Sequence, residues 1–345
     1  MIKLAIDAMG GDFAPYIVIE GVIKALTEDS SLYIYLYGDK YLIEEIIQKK
    51  TKINNKILKK IQNKITIVHT PFFLEAGIKH IREELRDNQQ HSMFLALRAA
   101  QIEEADGVVS AGPTQALILA SFLIIKTLKG ISRIALAPIF SNLDNKQKIL
   151  LDAGGNTDLK PEHLVNFAIC ASIMAQELLK IKKPIVKLLN IGSEKTKGRT
   201  FEKNAFHLLE KNNFILFKGN EEPQNILNTE ADILLSDGFT SNIVLKSYEG
   251  ALTITFQAIK KILTKNYLKK IISKILFSKE LQKIKKKLDN KEIGGAMLLG
   301  LNKIVIKAHG NSNSYAFYNA IKQAKILIQQ NFLKKIEKHL ITENK

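Results

Sequence analysis

The chain has 345 residues, of which 46% are hydrophobic and 25% charged, with a formal net charge of +17 and a single cysteine. That length and composition describe a folded protein with a sizeable core, and the lone Cys170 excludes an internal disulfide. Only five of the 51 basic residues are arginine, which argues against a nucleic-acid binder, because bidentate base and phosphate recognition draws on arginine.

The opening residues Ile2-Lys3-Leu4-Ala5-Ile6 read as a strand and not as a secretory leader. No run reaches the ~18 uncharged apolar residues of a membrane span, so a cytoplasmic protein is expected. Pro15 predicts a helix start near Ala14. Strands follow at 32–37 and 65–69, with a lysine-rich helical stretch over 41–62 between them. Spacing over 92–102 is helical, and 107–109 is a short buried strand. Cys170 lies in an apolar helical stretch and reads as a packing residue. Further strands are expected at 148–151, 185–189, 214–217, 233–235 and 304–306. Strand and helix alternating with short connections predict an α/β fold with a mostly parallel sheet covered on both faces. No repeat or linker divides the chain, so 1–345 is expected to be one interwound unit. Residues 256–291 break the pattern, with twelve lysines against two acids. Phe256, Ile259, Leu263, Tyr267, Ile271 and Ile275 form an apolar stripe there, predicting a protruding basic amphipathic helical segment suited to an anionic membrane, an acidic protein or a second subunit.

Six strands run into glycine-bearing loops. Loop one is Asp7-Ala8-Met9-Gly10-Gly11-Asp12, loop two Ser110-Ala111-Gly112-Pro113-Thr114, and loop three Asp152-Ala153-Gly154-Gly155-Asn156-Thr157-Asp158. Loop four is Asn190-Ile191-Gly192-Ser193, loop five Ser236-Asp237-Gly238-Phe239-Thr240, and loop six Lys307-Ala308-His309-Gly310-Asn311-Ser312. Open α/β sheets bind ligands at the carboxyl ends of their strands, where helix N-termini and bare N–H groups face an anion. A phosphate-handling enzyme is therefore expected. Loop one has neither the dinucleotide fingerprint nor the GK[ST] of a P-loop. Loop three is dense in polar groups and leads through Lys160 into Pro161; Asp158 and Glu162 there read equally as helix caps. Lys307 and His309 suit charge neutralisation and proton donation. The other histidines lack zinc spacing, and no GxSxG elbow is present.

The stretch Asp7 to Pro15 resembles the opening of the bacterial phosphate acyltransferases of the PlsX type, the acyl-carrier-protein:phosphate transacylases of phospholipid synthesis. The resemblance recurs at 86–93, 109–117, 152–164, 190–192, 217–220, 236–246 and 294–324. It implies a three-layer α/β/α fold like that of isocitrate dehydrogenase and phosphotransacetylase, and a homodimer. The implied reaction is attack of inorganic phosphate on the thioester of a long-chain acyl carrier protein. The product would feed a membrane glycerol-3-phosphate acyltransferase, which makes the protein peripheral to the membrane. No metal or organic cofactor is implied. The candidate catalytic residues are Lys307, His309, Asp12, Asn156 and Lys160. Candidate contacts to phosphate and thioester are Asp7, Gly10, Gly11, Ser110, Gly112, Thr114, Asp152, Gly154, Asp158, Asp237, Gly238, Asn242, Lys246 and Gly310.

One segment departs from the family pattern. Where that pattern reads Ser-Ala-Gly-Asn-Thr-Gly-Ala-Leu, this chain has Pro113 and Gln115 at the fourth and sixth positions. Proline removes an N–H, and glutamine removes the freedom of glycine to take positive φ. Reduced activity or a rebuilt loop is expected. The alternatives are a phosphotransacetylase or a nicotinamide-dependent dehydrogenase on the same fold, or a degenerate member that binds the carrier or the membrane.

Overall fold

The computed structural model describes residues 1–51, 55–75, 77–78, 80–142, 144, 146–267, 277, 281, 284 and 294–343. The first third alternates strand and helix: β1 (Ile2–Asp7), α1 (Tyr16–Glu28), β2 (Leu32–Gly38), α2 (Lys40–Thr51), α3 (Asn55–Ile61), β3 (Ile65–His69), α4 (Ile81–Asp87), α5 (Ser92–Gln101), β4 (Gly107–Ser110) and α6 (Thr114–Ile124). The middle contributes β5 (Ala135–Ala137), β6 (Ile139–Ser141), β7 (Gln147–Leu151), α7 (Pro161–Leu178), β8 (Ile185–Leu189), α8 (Thr200–Lys211), β9 (Leu216–Glu221) and β10 (Ile233–Leu235). After α9 (Gly238–Leu263) the chain returns through β11 (Ala296–Leu299), β12 (Ile304–Lys307), α10 (Ser314–Gln329) and α11 (Phe332–Glu343).

The strands form two sheets and not one. The larger has the order β3-β2-β1-β4-β12-β11-β5 and the smaller β6-β7-β10-β8-β9. Most pairs are parallel; β11 runs antiparallel to β12 and β5, and β6 antiparallel to β7. Strands of a parallel sheet are covered on both faces and so read as apolar runs. That explains why β4, β10 and β12 are buried along their whole length.

One hydrophobic cluster spans both sheets. It joins Ile6, Val109 and Ile306 of the first to Leu151, Leu188 and Ile233 of the second, through Phe167 and Met174 of α7 and Phe317 of α10. Cys170 lies inside it, fully buried, and burial pushes its thiol up to about 12.

Three expectations are corrected. β5, β6 and β11 were not anticipated, because three or four apolar residues are too few to display a period. The strand expected at 214–217 begins at Leu216 and runs to Glu221, since the Asn212 side chain accepts the N–H groups of Phe214 and Ile215 and holds them in a turn. The helix expected from Ala14 starts at Tyr16. The segment 256–291 is described only in part: residues through Leu263 continue α9, and most of the remainder lies outside the described residues.

Candidate active site

All six glycine-bearing loops leave the carboxyl ends of strands: loops one, two and six from β1, β4 and β12, and loops three, four and five from β7, β8 and β10. The first three strands are neighbours, with β4 in the middle, and Lys307 pairs in register with Ser110. Asp7, Ser110 and Lys307 therefore end three adjacent strands.

Asp7 is buried. One carboxylate oxygen accepts Ser92 Oγ at 2.7 Å and the other accepts Ser110 Oγ at 2.6 Å. Ser110 Oγ also accepts the Gly112 N–H at 3.0 Å. Burial pushes the Asp7 carboxyl above its ordinary value, against the lowering pull of Ser110, Ser92 and the loop-one amides. Loops one and two then meet main chain to main chain: a Cβ on Gly10 would stand 2.4 Å from Asp7 Oδ2 and 2.6 Å from Gly112 N. Loop six closes the other side, with Gly310 O accepting the Asp12 N–H at 2.8 Å and Ser110 O accepting the Ala308 N–H at 2.9 Å.

Lys307 is the buried cation of this group, 7% exposed. Its ammonium donates to Ala111 O at 3.4 Å and to Ala308 O. Burial brings it down to about 8, while the charges of Asp7 and Asp12 pull upward. Asp12 and His309 are exposed at the rim, Gly11 and Gly310 are partly exposed, and Thr114 opens α6 just behind. A desolvated ammonium beside a helix N-terminus can bind an anion and stabilise a developing oxyanion.

Loops three and five make the second group. Asp152 is fully buried. Its Oδ1 accepts the N–H of Leu136 at 3.0 Å and of Gly155 at 2.8 Å. Its Oδ2 accepts Asn156 N at 2.7 Å and Nδ2 at 2.8 Å, and Asn156 Nδ2 also reaches Ile134 O at 2.6 Å. Asp152 and Asn156 thus build loop three from within. Gly238 N donates to Asn156 O at 2.8 Å, and a Cβ on Gly238 would stand 2.3 Å from that oxygen. Asn242 Nδ2 lies 3.4 Å from where a Gly154 Cβ would be. Asp237 caps α9, with Oδ1 accepting Thr240 N at 2.7 Å, and its Oδ2 accepts Arg199 Nη2 at 2.5 Å. Asp158, Lys160 and Lys246 are exposed. Neither Asp158 nor Glu162 is the N-cap of α7: Lys160 holds that place, its N–H donating to His163 Nδ1 at 2.9 Å.

The two groups share a hydrophobic floor. Ala153 of loop three and Leu245 of α9 pack into the same cluster as Met93, Leu117 and Val305. Sequence reading did not single out Ser92 or Arg199, whose partners Asp7 and Asp237 lie far along the chain. Among the described residues, no group of three or more His, Cys, Asp or Glu could hold a metal ion. Also among the described residues, no helix is long and apolar enough to cross a membrane.

Loop two accommodates both of its unusual residues. Pro113 takes φ −56° as the N-cap of α6, an angle its ring prefers. Gln115 lies in the first turn of that helix with its side chain exposed and is not among the residues at positive φ.

A family model described as "Fatty acid synthesis protein" matches residues 2–335. The chain is 53% identical over 346 residues to the phosphate acyltransferase of Aster yellows witches'-broom phytoplasma, covering 100% of this chain and 94% of the relative. It is 43% identical over 343 residues to the phosphate acyltransferase of Acholeplasma laidlawii, covering 98% of each. Its fold is similar to a phosphotransacetylase from Streptococcus pyogenes, with a TM-score of 0.58 and 16% identity over 95% of this chain and 94% of that one.

Proposed function

The chain belongs to the family of fatty acid synthesis proteins whose curated relatives are phosphate acyltransferases, and from that membership we propose that it transfers a long-chain acyl group from the thioester of acyl carrier protein to inorganic phosphate. The observation that carries this reading is Lys307, a buried ammonium at the meeting of three strand ends, held near pKa 8.

A phosphate oxygen attacks the thioester carbonyl, the carbon–oxygen bond forms, and the carbon–sulfur bond breaks. The carrier thiolate leaves and takes a proton. Such a step needs phosphate aligned with the carbonyl and a preorganised positive field for the oxyanion. Lys307 supplies the charge, and the N–H groups of the α6 terminus supply donors. With a pKa close to that of a thiol, about 8.5, Lys307 also suits protonation of the leaving sulfur. Asp7 commits both oxygens to Ser92 and Ser110 and acts by holding loop two. Asp12, His309 and Gly310 form the near rim. Loops three and five form the far wall, where Asn242, Lys160 and Lys246 would meet the carrier's acidic surface or the arm that bears the thioester.

The protein would act as a homodimer at the membrane surface. The support is α9, on which Phe239, Ile243, Ile254 and Ile262 stand 50–68% exposed along a helix that buries only Gly238 and Ser241. A face of that kind marks an association surface. Acyl phosphate is then the substrate of an acyltransferase acting on an alcohol.

The test is phosphate-dependent release of free thiol from palmitoyl acyl carrier protein, with Lys307→Ala beside the native chain. Turnover that disappears in the variant is expected. A native chain that releases no thiol would overturn the acyl-transfer reading.

A further inference from the structure

Beyond β3 the chain enters a strap, Thr70-Pro71-Phe72-Phe73-Leu74, to which no role has been given. Thr70 and Leu74 are buried, whereas Phe72 and Phe73 are 47% and 41% exposed. The strap is pinned through its main chain and one hydroxyl. Thr70 N donates to Gly38 O at 2.9 Å. Thr70 Oγ1 donates to Gln90 O at 2.5 Å and accepts Phe72 N at 3.2 Å. Phe72 O accepts the Ser92 N–H at 2.9 Å, and Ser92 is the residue whose hydroxyl reaches Asp7. The Phe72 ring stands edge-on to His91 at 6.4 Å between centroids. Two adjacent phenyl rings are therefore presented to solvent by a well-tied backbone, hung on the same serine that holds the Asp7 carboxylate. Apolar surface fixed outward in this way marks a binding site.

We infer that the Phe72-Phe73 strap is the surface on which the alkyl chain of the acyl group lies while its thioester carbonyl sits at Lys307. The inference rests on the acyl-transfer reading and adds to it a place for the chain. Sheet order supports the geometry. β3 is four strands from β12, which ends at Lys307, so the root of the strap is about 19 Å from that ammonium's strand end at the usual strand spacing. Charge decides the occupant. Residues 70–74 carry no charge, the next residue is the exposed Glu75, and Glu84 Oε2 is hydrogen-bonded to His91 Nε2 at 2.9 Å behind the ring. An uncharged alkyl chain meets two phenyl faces here. The strap thereby sets chain-length preference: a long chain reaches it and a short one does not.

The double variant Phe72→Ala/Phe73→Ala, with Phe72→Leu/Phe73→Leu as its conservative partner, separates the possibilities. Every hydrogen bond that ties the strap is made by main chain or Thr70, so both variants keep the anchors. The readout is kcat/KM for octanoyl and for palmitoyl acyl carrier protein. The alanine variant is expected to lose about tenfold or more on the palmitoyl substrate and less than about twofold on the octanoyl substrate, the scale at which apolar pockets discriminate chain length. The leucine variant is expected to recover most of that loss. Equal loss on both substrates would overturn the inference in favour of a contact with the carrier or a structural role, and no loss on either would also overturn it. A native chain silent on both substrates would overturn the acyl-transfer reading itself, and the inference with it.

Discussion

Lys307 and Asp7 are buried charges at the ends of strands that have one strand between them, and neither uses the other as a hydrogen-bond partner. Asp7 gives its oxygens to Ser92 and Ser110, and Lys307 gives its protons to Ala111 O and Ala308 O. They interact only through space, which keeps the ammonium desolvated and available. A direct ion pair would have neutralised it and raised its pKa.

Activity should therefore depend on the protonated form of Lys307. Below about pH 8 the ammonium is charged, and turnover at saturating carrier substrate is expected to fall as pH rises through that value. A pH profile of kcat checks this, and Lys307→Arg should move the fall upward or abolish it, because guanidinium stays charged. Lys307→Ala is expected to cost at least about 100-fold in kcat, the scale of a lost oxyanion donor.

The same residue should cost stability. Its folded pKa lies below that of the unfolded chain, so between about 8 and the ordinary lysine value the unfolded state binds more protons and stability rises with pH. The penalty is complete below pH 8. Lys307→Met is expected to raise Tm by a few degrees at pH 7 while abolishing turnover, and urea midpoints of native and variant chains should converge near pH 10.5.

Asp152 holds four donors inside loop three. Asp152→Ala orphans them and is expected to destabilise the protein by about 2–4 kcal/mol, read from urea unfolding. Asp152→Asn should recover part of that loss.

Gly238→Ala would drive a methyl into Asn156 O, 2.3 Å from the ideal Cβ position. About 1–3 kcal/mol of destabilisation is expected, with a rise in hydrogen exchange at both 152–158 and 236–242, because the two loops meet at that contact.

Pro113→Asn should change little. Pro113 already takes φ −56°, so the substitution relaxes only the unfolded chain, by about 0.4–1 kcal/mol. Turnover within about threefold of native is expected. Recovery from silence to activity would mean that loop two needs the missing N–H.

Loop chemistry was legible because each loop is continuous in sequence. Asp7-Met9-Gly10, Asp152-Asn156 and Lys307-His309 each carry their polar groups within five residues, and the strand-to-helix alternation put them at strand ends. Their partners were not legible. Ser92 and Asp7 are 85 residues apart, and Arg199 and Asp237 are 38 apart, distances at which no periodicity speaks. For the same reason loop three read as a set of ligands: nothing local says that Asp152 and Asn156 are satisfied by Leu136 N and Ile134 O, which arrive on a strand region of only three residues. The division into two sheets followed from those short strands too, since β5 and β6 end one sheet and begin the other with only Pro138 between them.

The larger sheet is completed out of order. During synthesis the first 110 residues can pair β3, β2, β1 and β4, but β4 keeps one bare edge until β12 slides in beside it from residues 304–307. An uncovered edge is a template for wrong pairing, and so late a closure makes assembly slow and dependent on distant contacts. The strand that seals the edge is also the one that carries Lys307. If Lys307 has the role proposed for it, a chain cut before residue 304 would keep its other loops and still be inert.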